Sequence, residues 1–281
     1  MTSPIAVLGA TGRQGGAVAR HLLKHGADVL APVRDPDGES AQRLRAAGAD
    51  TVRADLSDVD SLAAAFRGAA AVFAMTTYDA DGAEAEVRQG AAIADAVVAA
   101  EVPAVVYSSV GGADRATGIP HFESKWAIEQ RLRATGVPLT VIRPVFFMEN
   151  LMRAGVVTAE ADGQVFRYAF APGVPIQMTA SDDIGAIAAR AILDPGAVPG
   201  GQLEIAGDEL TPEQMAAAFA EASGRPTRFE PTPIDAVPDA DRRAMYTWLA
   251  TTPGYQADFA TTSALRPGIR SFPAFLSGTN P

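Results

Sequence analysis

Four apolar residues, Ile5-Ala6-Val7-Leu8, run without a break into Gly9-Ala10-Thr11-Gly12-Arg13-Gln14-Gly15-Gly16, and Val18, Leu22 and Leu23 then recur at helical spacing as far as His25. A buried strand entering a helix through a glycine turn is the context in which such glycines bind a nucleotide, and it opens a repeating unit. Further strands are expected at 29–33, 51–52, 70–75, 104–107 and 139–142. Between them, helices are expected over 41–47, from Ser57 as N-cap through Leu62 and Phe66, over 84–100, and over 122–134. In the helix over 84–100, Val87, Ala91, Ala94 and Val98 fall along one face. The strands are continuous apolar runs, as expected where helices cover both faces of a sheet. Strand–helix alternation with short connections implies a parallel, doubly wound sheet.

Beyond Pro144 the rhythm changes, and Pro and Gly become frequent. Ser181 is read as the cap of a helix carrying Ile184, Ile187 and Ile192, and residues 203–205 as a short strand. Thr211-Pro212-Glu213-Gln214 is a capping box opening a helix that ends at Gly224. Tyr246, Trp248, Tyr255, Phe259, Phe272 and Phe275 concentrate aromatic surface near the end of the chain. The expected organisation is a Rossmann-type dinucleotide-binding core over 1–144. A smaller α+β substrate or partner lobe over 145–281 is interleaved with it.

Composition mainly excludes. The 281 residues are enough for one large domain or two lobes. With no Cys, disulfides, thiolate nucleophiles, Cys-zinc sites and iron–sulfur clusters are ruled out. A formal charge of −10 disfavours a broad phosphate-binding surface, so neither nucleic acid nor membrane is an expected partner. One phosphate in a local pocket remains compatible with it. The first residues lack the basic and apolar regions of a signal peptide, and a cytoplasmic location is expected. His21 and His25 are four apart but have Lys24 beside them and no matching acid, so they read as an exposed helix face and no metal is expected.

The turn has the spacing G-x-x-G-x-x-G. Gly9, Gly12 and Gly15 allow backbone to approach a pyrophosphate, while Thr11, Arg13 and Gln14 sit where a helix N-terminus presents N–H groups and a positive dipole end. At the end of the second strand an NAD site places an acid for the ribose 2′-OH, whereas here Arg34 takes that place, followed by Asp35. Arg13 and Arg34 suit a 2′-phosphate, so NADP(H) is favoured, with NAD(H) possible through Asp35. Asp55-Leu56 lies where an adenine amino group could be held, or is an ordinary loop before a helix. Thr76, Thr77 and Tyr78 follow the fourth strand, at the edge where such sheets bind ligands.

Gly9 to Gly15, Arg34, Asp55-Leu56, Ser108-Ser109-Val110-Gly111-Gly112, His121-Phe122-Glu123-Ser124-Lys125 and Glu149-Asn150-Leu151 together resemble the NmrA-like family, atypical members of the short-chain dehydrogenase/reductase superfamily. The resemblance covers most of the chain and is most specific from Ile5 to Leu151. It implies either a reductase of quinones, dyes or phenylpropanoids, some from natural-product biosynthesis, or a redox-sensing regulator that binds NAD(P) without turnover. The superfamily's catalytic set is Ser, Tyr and Lys, with Tyr four residues before Lys. Lys125 matches, Ser108 or Ser109 stands in the Ser place, and His121 occupies the Tyr position. His121 can act as the proton donor with Ser109 orienting an oxygen, or it caps the following helix or touches the ribose.

Phe146, Phe147, Met148, Tyr168, Met178 and Trp248, with Tyr78, offer surface for a flat aromatic ligand, although each alone also reads as core. Glu129, Arg131 and Arg133 read as a solvated helix face. The expected function is an NAD(P)(H)-binding oxidoreductase acting on a small aromatic, quinone or polyketide-type substrate. The alternative is a redox sensor acting through a protein partner.

Overall fold

The computed structural model describes residues 3–78 and 81–278; the outer ends of both expected lobes, 1–2 and 279–281, fall outside that range. The elements in chain order are β1 (Ile5–Val7), α1 (Arg13–Lys24), β2 (Val29–Val33), α2 (Glu39–Ala46), β3 (Asp50–Arg53), α3 (Val59–Phe66), β4 (Ala71–Ala74), α4 (Gly82–Ala99), β5 (Val105–Ser108), α5 (Pro120–Ala134) and β6 (Leu139–Pro144). There follow β7 (Phe146–Phe147), β8 (Val157–Glu160), β9 (Gly163–Tyr168), β10 (Ile176–Thr179), α6 (Ser181–Leu193), β11 (Gln202–Ile205), β12 (Asp208–Leu210), α7 (Pro212–Ser223), β13 (Thr227–Pro231), α8 (Ala240–Thr251), α9 (Phe259–Leu265) and α10 (Phe272–Leu276).

The large sheet has seven parallel strands in the order β11-β6-β5-β4-β1-β2-β3, the expected doubly wound arrangement. Alternate residues of each strand feed two cores. Ile5, Val7, Phe73 and Val106 pack with Val18 and Leu22 of α1 and Ile184 and Ile187 of α6. Ala6, Leu8, Val72 and Tyr107 pack with Leu62, Ile93, Val97 and Ile128 of α3, α4 and α5. A third core joins two three-stranded sheets, β12-β10-β7 and β13-β9-β8, to α7, α8 and α10. Residues beyond 145 also complete the large sheet, because β11 pairs with β6 and α6 lies against α1.

Several local expectations are corrected. The cap of α3 is Asp58 rather than Ser57, because the Asp58 side chain accepts from the N–H groups of Asp60 and Ser61. Ser181 is the first residue of α6, not its cap; its N–H donates to Glu149 Oε1 at 2.8 Å, so the helix end is satisfied from the segment after β7. The capping box at Thr211 and Gln214 forms as expected. Glu129 is not solvated. It is fully buried and accepts from Arg143 Nε at 2.9 Å and Nη2 at 2.7 Å, a bidentate pair that needs no water. His21 is half-buried, with Nε2 3.3 Å from Asp182 on α6.

The buried face of α4 is rotated from the expected one. Val98 is half-exposed, whereas Glu86, Gly90, Ile93 and Val97 face inward. A Cβ on Gly90 would run into the Ile128 side chain, so the missing side chain is what lets α4 and α5 approach closely. That contact brings Glu86 beside Lys125.

Candidate functional site

A cavity of about 520 Å³ opens at the carboxyl edge of the large sheet, where β1 and β4 lie side by side and the strand order reverses. Open α/β sheets bind ligands at such a reversal. Gln14 lines it from the start of α1, Thr76, Ser108 and Ser109 from the ends of β4 and β5, His121 and Lys125 from α5, and Phe146, Phe147, Tyr168 and Tyr246 from the part of the chain beyond Pro144.

The glycine turn is built for close approach. Gly9 has φ +67°, and a Cβ there would also sit 2.6 Å from the Met75 sulfur. A Cβ on Gly15 would lie 2.5 Å from the Gly9 carbonyl and the Leu8 oxygen. No side chain caps α1 and no acid lies in its first turn, so its leading N–H groups and positive dipole end are open to an anion such as a pyrophosphate. Thr11, Gly12 and Arg13 are exposed at this turn, while Gln14 turns inward and its Nε2 donates to Ser108 Oγ at 2.5 Å.

Arg34 follows β2 directly and is exposed, its side chain without a partner among the described residues. The neighbouring Asp35 is occupied locally, its Oδ1 accepting from the Asp37 N–H at 3.1 Å. Asp55 Oδ1 likewise accepts from the Ser57 N–H at 2.8 Å, and Leu56 is half-buried against the core.

Lys125 is not left open for a ligand alone. Its ammonium pairs with Glu86, which is fully buried, and donates to Thr76 Oγ1 at 3.0 Å and the Thr76 carbonyl at 3.2 Å. Thr76 Oγ1 donates to Glu86 at 2.9 Å, and Ser124 donates to the other Glu86 oxygen. Burial pulls the Lys125 ammonium down from the usual lysine value, against the opposing charge of Glu86. Thr77 also lines the cavity, its N–H donating to Gln89 at 3.2 Å.

His121 does not cap a helix; α5 starts at Pro120, with Ile119 as its N-cap. The His121 N–H donates to Asp241 Oδ1 at 2.9 Å, and its Nδ1 lies 2.5 Å from Asp241 Oδ2. Tyr78 packs on the same imidazole at 5.6 Å between ring centroids, with its hydroxyl near the Asp241 carboxylate. Burial alone would raise the Asp241 carboxyl, but the contacts from His121 and Tyr78 more than offset it and hold it below the ordinary aspartate range. Burial and the Asp241 charge push the Tyr78 hydroxyl up, keeping it a neutral phenol. Near them, Ser109 Oγ is buried without a hydrogen-bond partner among the described residues, whereas Ser108 is engaged by Gln14.

The expected apolar lining is partly corrected. Tyr78, Phe146, Phe147 and Tyr168 line the cavity. Met148 and Met178 do not, because both are fully buried in the second lobe's core. Trp248 also lies outside the lining, held edge-on to Phe122 and Tyr255 at 5.5 Å each, with the Arg115 guanidinium over its ring. Gly9, Thr11, Gly12, Gly15, Arg34, Asp55 and Leu56 lie along the same sheet edge beyond the cavity wall. Glu86 and Asp241 escaped the sequence reading. Glu86 is signalled by a carboxylate in register with Gly90, Ile93 and Val97; Asp241 lies 120 residues from His121 and carries no local signal.

The sequence model of the NmrA-like family matches residues 1–256. The NmrA-like family domain-containing oxidoreductase FrzB of Cladobotryum sp. is 31% identical over 289 aligned residues, covering 90% of this chain and 86% of that protein. An NAD(P)H azoreductase of Xenophilus azovorans is 31% identical over 227 residues, covering 80% and 76%. Among solved structures, an NADPH-dependent quinone oxidoreductase of Escherichia coli complexed with NADPH superposes with a TM-score of 0.81 at 25% identity, over 98% of this chain and 99% of that one.

Proposed function

Because the chain belongs to the NmrA-like family, we propose that it binds NAD(P)(H) along the carboxyl edge of the sheet and reduces a small aromatic or quinone-type substrate beside His121. The observation that carries this reading is the His121–Asp241 pair, facing the same cavity as the unpartnered Ser109 hydroxyl and the mouth of the glycine turn. The names of the azoreductase and quinone oxidoreductase relatives support the substrate class.

The residues fit the dinucleotide in spatial order. Asp55 stands at the adenine end, Arg34 and Arg13 at the 2′ position, and the open turn of α1 at the pyrophosphate. Thr76 and Lys125 stand at the second ribose. Bound there, the reduced cofactor supplies a hydride, two electrons with one hydrogen nucleus. His121 gives the proton that completes reduction of a quinone to its hydroquinone and regains one from solvent. Ser109 donates a hydrogen bond to the substrate oxygen. Asp241 fixes the imidazole through both its N–H and Nδ1 contacts and is a positioning residue. The Glu86–Lys125 pair holds the floor rigid rather than moving a proton.

The Arg34 guanidinium has no partner among the described residues while Asp35 is occupied in its own turn, which favours NADP(H) over NAD(H). Arg34→Gln is expected to raise the Kd for NADPH about tenfold and leave that for NADH within about twofold, the loss of one charge-assisted contact; calorimetric titration reads both, and equal losses would assign Arg34 no role at the 2′-phosphate.

Steady-state reduction of quinones and azo dyes by NADPH tests the activity. Asp241→Asn is expected to lower kcat about tenfold to 100-fold, the usual effect of removing an orienting carboxylate, with KM for NADPH little changed. Because the Asp241 carboxyl is held low, its ionised form and this support persist below pH about 4 and are lost only as pH falls through its depressed value. Tight binding of NADPH with no turnover of any substrate would leave the redox-sensor reading in its place.

A further inference from the structure

Most arginines with a structural role are paired: Arg115 with Glu204, Arg143 with Glu129 and Asp114, and Arg266 and Arg270 with Asp183. Arg153 and Arg242 line the cavity at its second-lobe end, and neither has a side-chain partner among the described residues. They come from different elements, Arg153 just after β7 and the turn that follows it, and Arg242 from the first turn of α8. Both line the same cavity as Tyr168, and the charge of each bears on the Tyr168 hydroxyl. The Tyr168 ring itself meets Phe146 edge-on with 5.7 Å between ring centroids, and Tyr246 edge-on at 5.8 Å. The only carboxylate lining the cavity among the described residues is Asp241, and His121 and Tyr78 occupy it. A chain of charge −10 thus leaves two cations uncompensated over an aromatic floor, at the end away from the glycine turn.

We infer that Arg153 and Arg242 select substrates in which the aromatic ring to be reduced carries an anionic group, a sulfonate or carboxylate, held by the two guanidiniums while the ring lies on Phe146 and Tyr168. Guanidinium is suited to this, since it forks onto planar or tetrahedral oxyanions and stacks on aromatic faces. The inference rests on the functional reading above and deepens it.

The test compares NADPH-dependent reduction of naphthoquinone with that of naphthoquinone sulfonate, in the native chain and in Arg153→Gln/Arg242→Gln. The native enzyme is expected to favour the sulfonate by about tenfold or more in kcat/KM, mostly through KM, as two charge-assisted contacts at a partly screened mouth would give. In the double variant that preference falls to about twofold or less, and in the native enzyme it shrinks as salt is raised. No preference in the native enzyme, or a preference that survives the double substitution, would overturn the inference. Binding of naphthalene sulfonate and of naphthol to the NADPH complex, read by quenching of tryptophan fluorescence, separates the two failures. If neither quinone is reduced but the sulfonate binds tighter through the arginines, only the functional reading fails. Inorganic sulfate binding as tightly as naphthalene sulfonate would also overturn the inference, since the aromatic floor would then contribute nothing.

Discussion

Glu86→Ala is expected to cost about 3–5 kcal/mol of folding stability, the range seen when one member of a buried ion pair is removed. Glu86 is wholly buried and accepts hydrogen bonds from Thr76, Ser124 and Lys125. Removing it strands the Lys125 ammonium, whose side chain is only 13% exposed, beside the Thr76 hydroxyl and carbonyl, which cannot neutralise it. Urea denaturation with an unchanged m-value reads the loss directly. Replacing both partners, Glu86→Met with Lys125→Met, is expected to recover much of it, because an apolar pair of similar volume avoids the desolvation of both charges. A loss below about 1 kcal/mol for Glu86→Ala would mean that water reaches the pair and that it lends the cavity floor no rigidity.

The second large effect is expected at Gly15. An alanine Cβ there would sit 2.5 Å from the Gly9 carbonyl carbon and oxygen and the Leu8 oxygen, all backbone, so α1 must move off β1. Overpacking of this kind costs about 1–3 kcal/mol. The heavier loss falls on binding, since displacing the first turn of α1 misaligns N–H groups whose contacts to a charged group are worth about 1.5–3 kcal/mol each. Gly15→Ala is therefore expected to weaken NADPH binding about 100-fold. Gly26→Ala is the control. Gly26 follows α1 at positive φ, +76°, and a Cβ there meets nothing within 4 Å. Its substitution is expected to cost about 1–2 kcal/mol of stability from backbone strain and to leave the Kd for NADPH unchanged. Similar losses of affinity in both variants would point to general destabilisation instead of a damaged cradle.

The doubly wound sheet could be read from the chain because its strands and glycine turn are local signals, each contained in a few consecutive residues. Most of the candidate cofactor edge is proposed from the same kind of signal: the glycine turn, Arg34, Asp55 and Thr76 follow the ends of strands, and strand ends are visible in sequence. The polar cluster was harder. Lys125 stands on its motif, but its partner Glu86 lies 39 positions away on α4, and the helical face holding it is offset from the one suggested by Val87 and Val98. Asp241 reaches His121 only because the first turn of α8 comes to lie beside the first turn of α5, a long-range arrangement with no periodicity to announce it. Among apolar residues, Met148 and Met178 look in sequence just like Phe146 and Phe147. Whether such a side chain lines a cavity or fills a core depends on packing between sheets, not on its own chemistry. Glu129 shows the converse: a charge run on a helix hid one fully buried carboxylate paired with Arg143.

Stopped-flow mixing of the NADPH complex with excess naphthoquinone, in a single turnover followed by the absorbance of the reduced nicotinamide, probes the chemistry without dependence on product release. Oxidation of bound NADPH with one hydroquinone formed per active site is the expected result, slowed about 100-fold or more in His121→Asn, the usual contribution of a positioned general acid, while NADPH still binds. Saturable NADPH binding with no oxidation in the native chain, or an unchanged rate in His121→Asn, would contradict a reductase that works through His121.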